Sequence, residues 1–348
     1  MAELTHKKLT PDFKVVLKGV EITQAEPNGL VNLVVEDHVD MMGMAQITLN
    51  TNAGEKSPWG DIAIGDDVEC HFGGGDKAAF KGLVTGKRHS WQAGKAVVTL
   101  TALDPTTKLA SSRNTRTFEE MTDSEIFEQV IGEAGLETGT VDSTSGKSPH
   151  VVQRNESDLE FVKRLASRNG YQVNADAGQI NFIKPSFQGD TIEIPASKLS
   201  NMDFEFTDQQ IPTELTVIGW DPVTKAKVEG TATKADIEKM GSGEGAVDKA
   251  GPIWSGKSFI TDVQVASQDA AKLMAIGELN RLARGFMKGR ATVNGTGEVR
   301  AGCTIKLTGQ HKGMAAEGYV ISVRHTLEPG GLHSSQIIFS GNTHTVDQ

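Results

Sequence analysis

The chain has 348 residues, 37% apolar, 23% charged and only 5% aromatic, which suits roughly two or three domains at about 100–200 residues each. Its 35 basic and 45 acidic residues leave a formal charge of −10, which disfavours a strongly basic nucleic-acid binder, because phosphate contacts need clustered cations. Cys70 and Cys303 cannot build a disulfide framework, no apolar run approaches the ~18–20 residues of a membrane span, and residues 1–11 lack the apolar stretch of a secretory signal. These features predict a soluble protein made in the cytoplasm, able to leave the cell as part of a particle.

The first hundred residues read as about six strands. Apolar and polar residues alternate through Phe13–Leu17, Ala45–Leu49, Val68–Phe72 and Ala96–Ala102, and the apolar runs Leu30–Val35 and Phe80–Val84 complete the set. Period two gives each strand one wet and one dry face. Turn signals separate them at Pro27-Asn28-Gly29, Gly60-Asp61, Gly73-Gly74-Gly75-Asp76 and Ala93-Gly94. Short strands at this spacing predict a β-barrel or sandwich over residues 1–108.

The period then changes. Thr122-Asp123-Ser124-Glu125 is a capping box, followed by Ile126, Phe127, Val130 and Ile131 at helical spacing and by Gly135 at the C′ position. Residues 137–149 read as a polar loop. Asn155-Glu156-Ser157-Asp158 opens a second helix, with Asn155 as its cap, a stripe of Leu159, Val162, Leu165 and Ala166, and Gly170 as its stop. Tyr171–Val173 and Ile180–Phe182 form a hairpin around Ala177-Gly178, so residues 109–190 read as a small α+β unit.

Residues 191–348 return to strands: 191–194, 203–206, 215–220, 226–230, 263–265, 290–293, 304–307, 319–325 and 335–339. One long helix interrupts them near 267–286, and a segment near 234–258, rich in Gly, Ala and charge, reads as a mobile insertion. The fold class is therefore mainly β with α+β segments: two barrels joined by a small α+β domain.

Catalytic motifs fail on context. Gly251–Ser258 fits G-x-x-x-x-G-K-[ST], but a glycine-rich polar stretch precedes it and a strand-like alternation over 259–265 follows, where a phosphate loop needs a strand before and a helix after. Gly241–Gly245 is a dinucleotide-loop fragment without flanking elements and reads as linker. The nine histidines have no zinc spacing, and no G-x-S-x-G elbow occurs. Glu156, Asp158 and Glu160 read as charges at a helix start rather than as a glycosidase pair. Basic residues cluster at Lys77, Lys81, Lys87, Arg88 and His89, and again at Arg281, Arg284, Lys288 and Arg290. The second cluster reads as a solvated helix face or an ionic subunit contact. No catalytic, cofactor-binding or metal residues are assigned.

Residues 153–171, QRNESDLEFVKRLASRNGY, resemble the signature of the baseplate hub family, which includes the phage late control gene D proteins and the hub portion of the type VI spike protein VgrG. The matching positions are Gln153, Asn155, Ser157, Asp158, Leu159, Phe161, Arg164, Leu165, Gly170 and Tyr171. Gly219-Trp220-Asp221 resembles the family's turn opening the second barrel, and Gly318, Tyr319 and His325 its closing strands. Trp220 and Tyr319 are read as large apolar area in an aromatic-poor chain. The explicit match covers roughly residues 150–232 and 300–340; the first hundred residues agree in pattern only.

The resemblance implies two tube-like barrels per chain and a homotrimeric ring with pseudo-sixfold symmetry. One face takes the hexameric tail tube protein and nucleates its assembly; the other takes a trimeric spike. Baseplate wedge and tape-measure proteins are further expected partners, with neither sequence-specific nucleic-acid binding nor stable membrane insertion. Three chains of two barrels offer a hexamer six similar surfaces. Such a protein is structural and not an enzyme, sits in a virion tail or tail-like contractile particle, and uses no cofactor. Because the sequence stops at Gln348, after the second barrel, the spike is expected on a separate polypeptide. The net negative charge fits a channel that lets DNA or acidic cargo pass. The competing readings are a tail-associated enzyme, either a P-loop nucleotidase or a cell-wall hydrolase, and another β-rich tube or spike component.

Overall fold

A computed structural model describes residues 13–22, 29–51, 61–72, 77–92, 94–144, 146–186, 191–207, 211–221, 224–241, 243–246, 248, 256–261, 263, 265, 267–309, 313–328 and 332–344. The turn signals at 27–28, 60, 73–76 and 93, residue 242 of the 241–245 fragment and residues 251–255 of the P-loop match lie outside them.

Alternation produces the first strands as expected: Phe13–Leu17 (β1) buries Phe13, Val15 and Leu17 and leaves Lys14 and Val16 half-buried. It is followed by Val20–Ile22 (β2), Leu30–His38 (β3), Met44–Thr51 (β4), Asp67–Phe72 (β5), Phe80–Gln92 (β6) and Lys95–Leu103 (β7). They lie in the order β2-β1-β5-β6-β7-β4-β3, all antiparallel. β2 escaped the sequence reading because three residues are too few to show a period. The dry faces close over Val15, Leu33, Ile47, Val68, Cys70 and Leu100.

The middle of the chain runs Thr106–Ala110 (α1), Arg113–Met121 (β8), Asp123–Glu133 (α2), Thr138–Val141 (β9), Ser148–Ser157 (β10), Asp158–Asn169 (α3), Gln172–Asp176 (β11) and Gln179–Ile183 (β12). The Thr122–Glu125 capping box forms as read. The expected loop over 137–149 instead contains β9 and the start of β10. Neither carries a strong apolar period; β9 is held by parallel pairing to β12, and β10 by antiparallel pairing to β8. Helices α2 and α3 pack over Phe118, Phe127, Phe161 and Phe182.

The last part contains Thr191–Ile194 (β13), Leu199–Phe206 (β14), Glu214–Asp221 (β15), Ala226–Thr233 (β16), Glu244–Gly245 (β17), Lys257–Ile260 (β18), Gln268–Ala283 (α4), Met287–Asn294 (β19), Thr304–Thr308 (β20), Ala315–Leu327 (β21), His333–Gly341 (β22) and Thr343–His344 (β23). Ser267 caps α4 by accepting from the Ala270 amide. Among the described residues, 263 and 265 are not in a strand; the strand lies earlier, at β18, parallel to β15. β15, β16 and β18 make a separate sheet that packs Leu215, Val217 and Ala232 under α4. The segment expected as a mobile insertion is packed down over part of its length. Met240 is buried, its amide donates to Asn342 Oδ1 at 2.7 Å, and β17 pairs with β23.

The two strand-rich parts share one 13-stranded sheet, ordered β14-β19-β22-β21-β3-β4-β7-β6-β5-β1-β2, with β20 also on β21 and β13 on β20. The joint is β21 against β3, from Ser322 opposite His38 to Leu327 opposite Leu33. A second core, around Val293, Ile305, Leu307, Val323, Ile337 and Phe339, fills the other half. The mainly β architecture is thus as expected, with the two halves fused edge to edge in a single wall.

Candidate functional site

The signature residues build a joint between β8, β10 and α3. Gln153, fully buried on β10, donates to Asp158 Oδ1 at 2.8 Å and to the Glu156 carbonyl at 3.0 Å. Arg116 on β8 reaches both, donating to Gln153 Oε1 at 2.7 Å and Asp158 Oδ1 at 2.8 Å, and it also pairs with Glu133. Asn114 adds a third bond to Asp158 at 3.0 Å. A buried carboxylate surrounded this way is satisfied rather than reactive. Arg164 grips Glu156 through two nitrogens, donates to the Val152 carbonyl, and stacks over Phe161 at 5.1 Å. Phe161 and Leu165 are fully buried, Leu159 partly.

Asn155 does not cap α3. Ser157 does: its Oγ accepts from the Glu160 amide, and Glu160 accepts from the Ser157 amide. Ser157 stands three residues before a glutamate, which completes a capping box that Asn155 cannot form. Asn155 instead occupies a left-handed bulge of β10 at φ 49°, a conformation Asn tolerates better than most residues.

Gly170 ends α3 at φ 72° and lies against Gly277 of α4; a Cβ on Gly170 would stand 2.4 Å from the Gly277 Cα. This close crossing brings the signature helix to the β21–β22 wall. Tyr171 donates to the Ser143 carbonyl at 3.0 Å, and buried Tyr319 on β21 donates to Gln172 Oε1. Gly318 has room for no side chain, since a Cβ there would meet Phe339 at 2.8 Å. Between α3, α4 and this wall lies a cavity of about 750 Å³, lined by Asp40, Lys163, Arg164, Arg281, Arg284 and Lys288 among others. The cluster read as a solvated helix face or an ionic subunit contact splits: Arg281 is exposed and bonded to Glu278, while Arg284 lines the cavity, where burial lowers its pKa.

Gly219-Trp220-Asp221 lies apart, at the end of β15 in the separate sheet. Trp220 is 57% exposed, not the buried area expected of it. Leu215, Val217 and Gly219 occupy the face toward α4, and the backbone carbonyl of Val265 lies 2.3 Å from where a Gly219 Cβ would be, so period two sends Trp220 to the other face. Trp91, near the tip of the β6–β7 hairpin, is 71% exposed, and Phe259 on β18 is exposed as well. Lys257, the lysine of the P-loop match, sits on β18 with its Nζ 2.9 Å from Glu214, so no helix follows it.

His325 sits where the two halves meet. Its Nδ1 lies 2.8 Å from Ser335 Oγ and its Nε2 3.0 Å from the Val299 carbonyl, with Arg300 Nη1 at 3.4 Å. Phe72 from the first half stacks on His333 at 4.6 Å and contacts His325 at 5.0 Å. Burial first, then Arg300, pushes His325 down to about 3 and His333 to about 4, so both are neutral at pH 7. Burial also raises Asp37, beside Arg300, to about 6, although it accepts from the Ala301 amide at 2.8 Å. The Ser335–His325 pair resembles a nucleophile and base, but both residues are fully buried and the serine hydroxyl donates to the Thr296 carbonyl. It is a seam, not a catalytic centre.

The sequence reading found the signature helix and missed its partners. Asn114 and Arg116 lie 37 to 44 residues upstream of their partners, on a polar strand with no distinguishing pattern. Gly277, an isolated glycine inside a helical run, was the one visible signal for the crossing.

Comparison with known proteins places this geometry. The family model described as the Alg8 N-terminal domain matches residues 7–329. The chain belongs to that family. A curated relative, the probable baseplate hub protein of Escherichia phage P2, is 28% identical over 180 residues, which are 51% of this chain and 46% of that protein. The match therefore spans about half the length of the relative. Among solved structures, a tail protein from Neisseria meningitidis superposes with a TM-score of 0.70 at 12% identity, covering 95% of this chain and 96% of that one. An E. coli component of the type VI secretion system, described as structurally similar to bacteriophage T4 tail proteins gp27 and gp5, gives 0.63 at 12% identity over 96% and 79%. The chain thus shares its fold with phage tail and type VI proteins, and the family resemblance read from residues 153–171 agrees with its curated relative.

Proposed function

We propose that the chain is a structural hub of a phage tail or tail-like contractile particle. Its relatives are structural tail and baseplate proteins, and the reading assigns no catalytic role to any residue. In this reading three copies form a ring, residues 1–108 and 191–348 supply two tube-like units per chain, and residues 109–190 connect them. One face receives the hexameric tail tube and nucleates its growth; the other receives a trimeric spike, with wedge and tape-measure proteins around it. The particle's baseplate is the proposed location, after synthesis in the bacterial cytoplasm.

The observation that carries the proposal is the fused wall. β3 and β21 join two separately cored half-sheets side by side, so three chains would present six comparable segments to a sixfold tube. The exposed Trp91 near the β6–β7 hairpin tip is the kind of anchor such a contact uses. The test mixes the purified chain with monomeric tube protein of the same particle and follows polymerisation by light scattering and electron microscopy. The proposal expects a shortened lag and tubes with one modified end. An unchanged lag with no end-bound density overturns it.

A further inference from the structure

The cavity between α3, α4 and the β21–β22 wall holds more positive charge than its surroundings neutralise. Arg164 is matched by Glu156 and Arg281 by Glu278. Among the described residues, Lys163, Arg284 and Lys288 have no ion pair, and the Arg284 guanidinium makes no hydrogen bond. A guanidinium carries five N–H donors, and those of half-buried Arg284 stand open to a partner that enters the cavity. Two acids face this space. Glu278 is engaged by Arg281, and Asp40 Oδ1 accepts from the Val173 amide at 2.9 Å. Asp40, Lys163 and Arg284 line the same cavity, and the two cations act on the Asp40 carboxyl.

The rest of the lining sets an apolar floor beside polar Ser167, Gln172 and Ser340. Leu282, Ile321 and Phe339 contribute, and Ile338 is 54% exposed. The volume of about 750 Å³ falls within the ~300–1,000 Å³ of organic-ligand sites. A bare inorganic ion would leave that floor unused.

We propose that this cavity binds an oxyanion carried on an apolar body: a carboxylate or phosphate whose oxygens take the free donors of Arg284, with Lys163 and Lys288 closing on it from the rim. Planar guanidinium-to-oxyanion pairing is strong and directional, and its strength rises where water is excluded. The same chemistry can come from a free organic anion or from an acidic side chain of a neighbouring polypeptide. Because the cavity lies where α3 crosses α4, occupancy would brace the signature helix against the β21–β22 wall.

The test uses the full chain labelled with 15N-arginine. The Nε–Hε signal of Arg284 is assigned by its loss in Arg284→Lys. The probes are benzene-1,3,5-tricarboxylate, inorganic phosphate and the capped peptide acetyl-Glu-Phe-Asp-amide, each titrated at constant ionic strength. The proposal expects a saturable shift of the Arg284 signal with the tricarboxylate or the peptide, and about tenfold weaker binding in Lys163→Met or Lys288→Met. Tighter binding of the tricarboxylate identifies a free anion as the source, and tighter binding of the peptide identifies a neighbouring chain. An Arg284 signal that ignores all three probes overturns the proposal. So does a shift that persists undiminished in both lysine variants, of which at least one is folded by circular dichroism.

Discussion

Ser157 and Asn155 show how two neighbouring polar residues divide one task. Ser157 closes the capping box of α3, so Ser157→Ala should cost about 1 kcal/mol in urea denaturation. Asn155 holds a left-handed bulge through its backbone alone, accepting from Arg113 and donating to Thr115, so Asn155→Gly should be near neutral. Equal losses at both positions would contradict this division. The seam histidines give a second residue-scale outcome. His325 and His333 resist protonation when folded but accept it when unfolded near 6.5, so they lower stability as pH falls from about 6.5 toward 4. Asp37 acts the other way: its folded value of about 6 exceeds its unfolded 3.8, so it favours the fold as pH falls through that window. The two histidines outnumber Asp37, so these three groups together lower stability as pH falls from about 6 to 4. Asp37→Asn removes the opposing group, and its stability should fall more steeply over the same range. Denaturant midpoints at several pH values check this, and a parallel pair of curves would contradict it.

At the scale of elements, the α3–α4 crossing decides how the signature helix meets the sheet. Alanine normally improves a helix interior over glycine by about 1 kcal/mol. At Gly277 the sign should reverse, because a Cβ would stand 2.6 Å from the Gly170 Cα and force the helices apart. Gly277→Ala is expected to destabilise by roughly 1–3 kcal/mol, as overpacking does, measured by thermal or urea unfolding. A stabilised variant would show that the crossing is loose. Elements with their own period were legible in the sequence: β1, β4 and β7 follow from alternation, α2 from its spacing and capping box, and α3 from its apolar stripe and Gly170 stop, its cap lying two residues later than read. Those held by neighbours were not. β9 and β10 exist through pairing with β12 and β8, and β18 through β15. The exposure of Trp220 likewise depends on which face of β15 meets α4, a tertiary fact its own alternation does not specify. The cation cavity needed two helices and a sheet brought together, so its residues appeared in sequence only as a basic cluster.

At the scale of the molecule, β3 against β21 makes one sheet of two cores. A break in that joint should be felt on both sides. Thr326→Pro, in the β21 stretch facing Val34, removes a backbone donor from a central strand. Amide exchange should rise in β4 as well as in β22; a rise confined to β22 would mean that the halves are mechanically separate. The hub reading then asks that this wall close into a ring, because a single chain carries only a third of it. Native mass spectrometry of the purified chain, alone and mixed with the tube protein of its own particle, tests that most directly. The account predicts a mass of three chains, or three chains bound to a ring of six tube subunits. A chain that stays monomeric in both samples would contradict it.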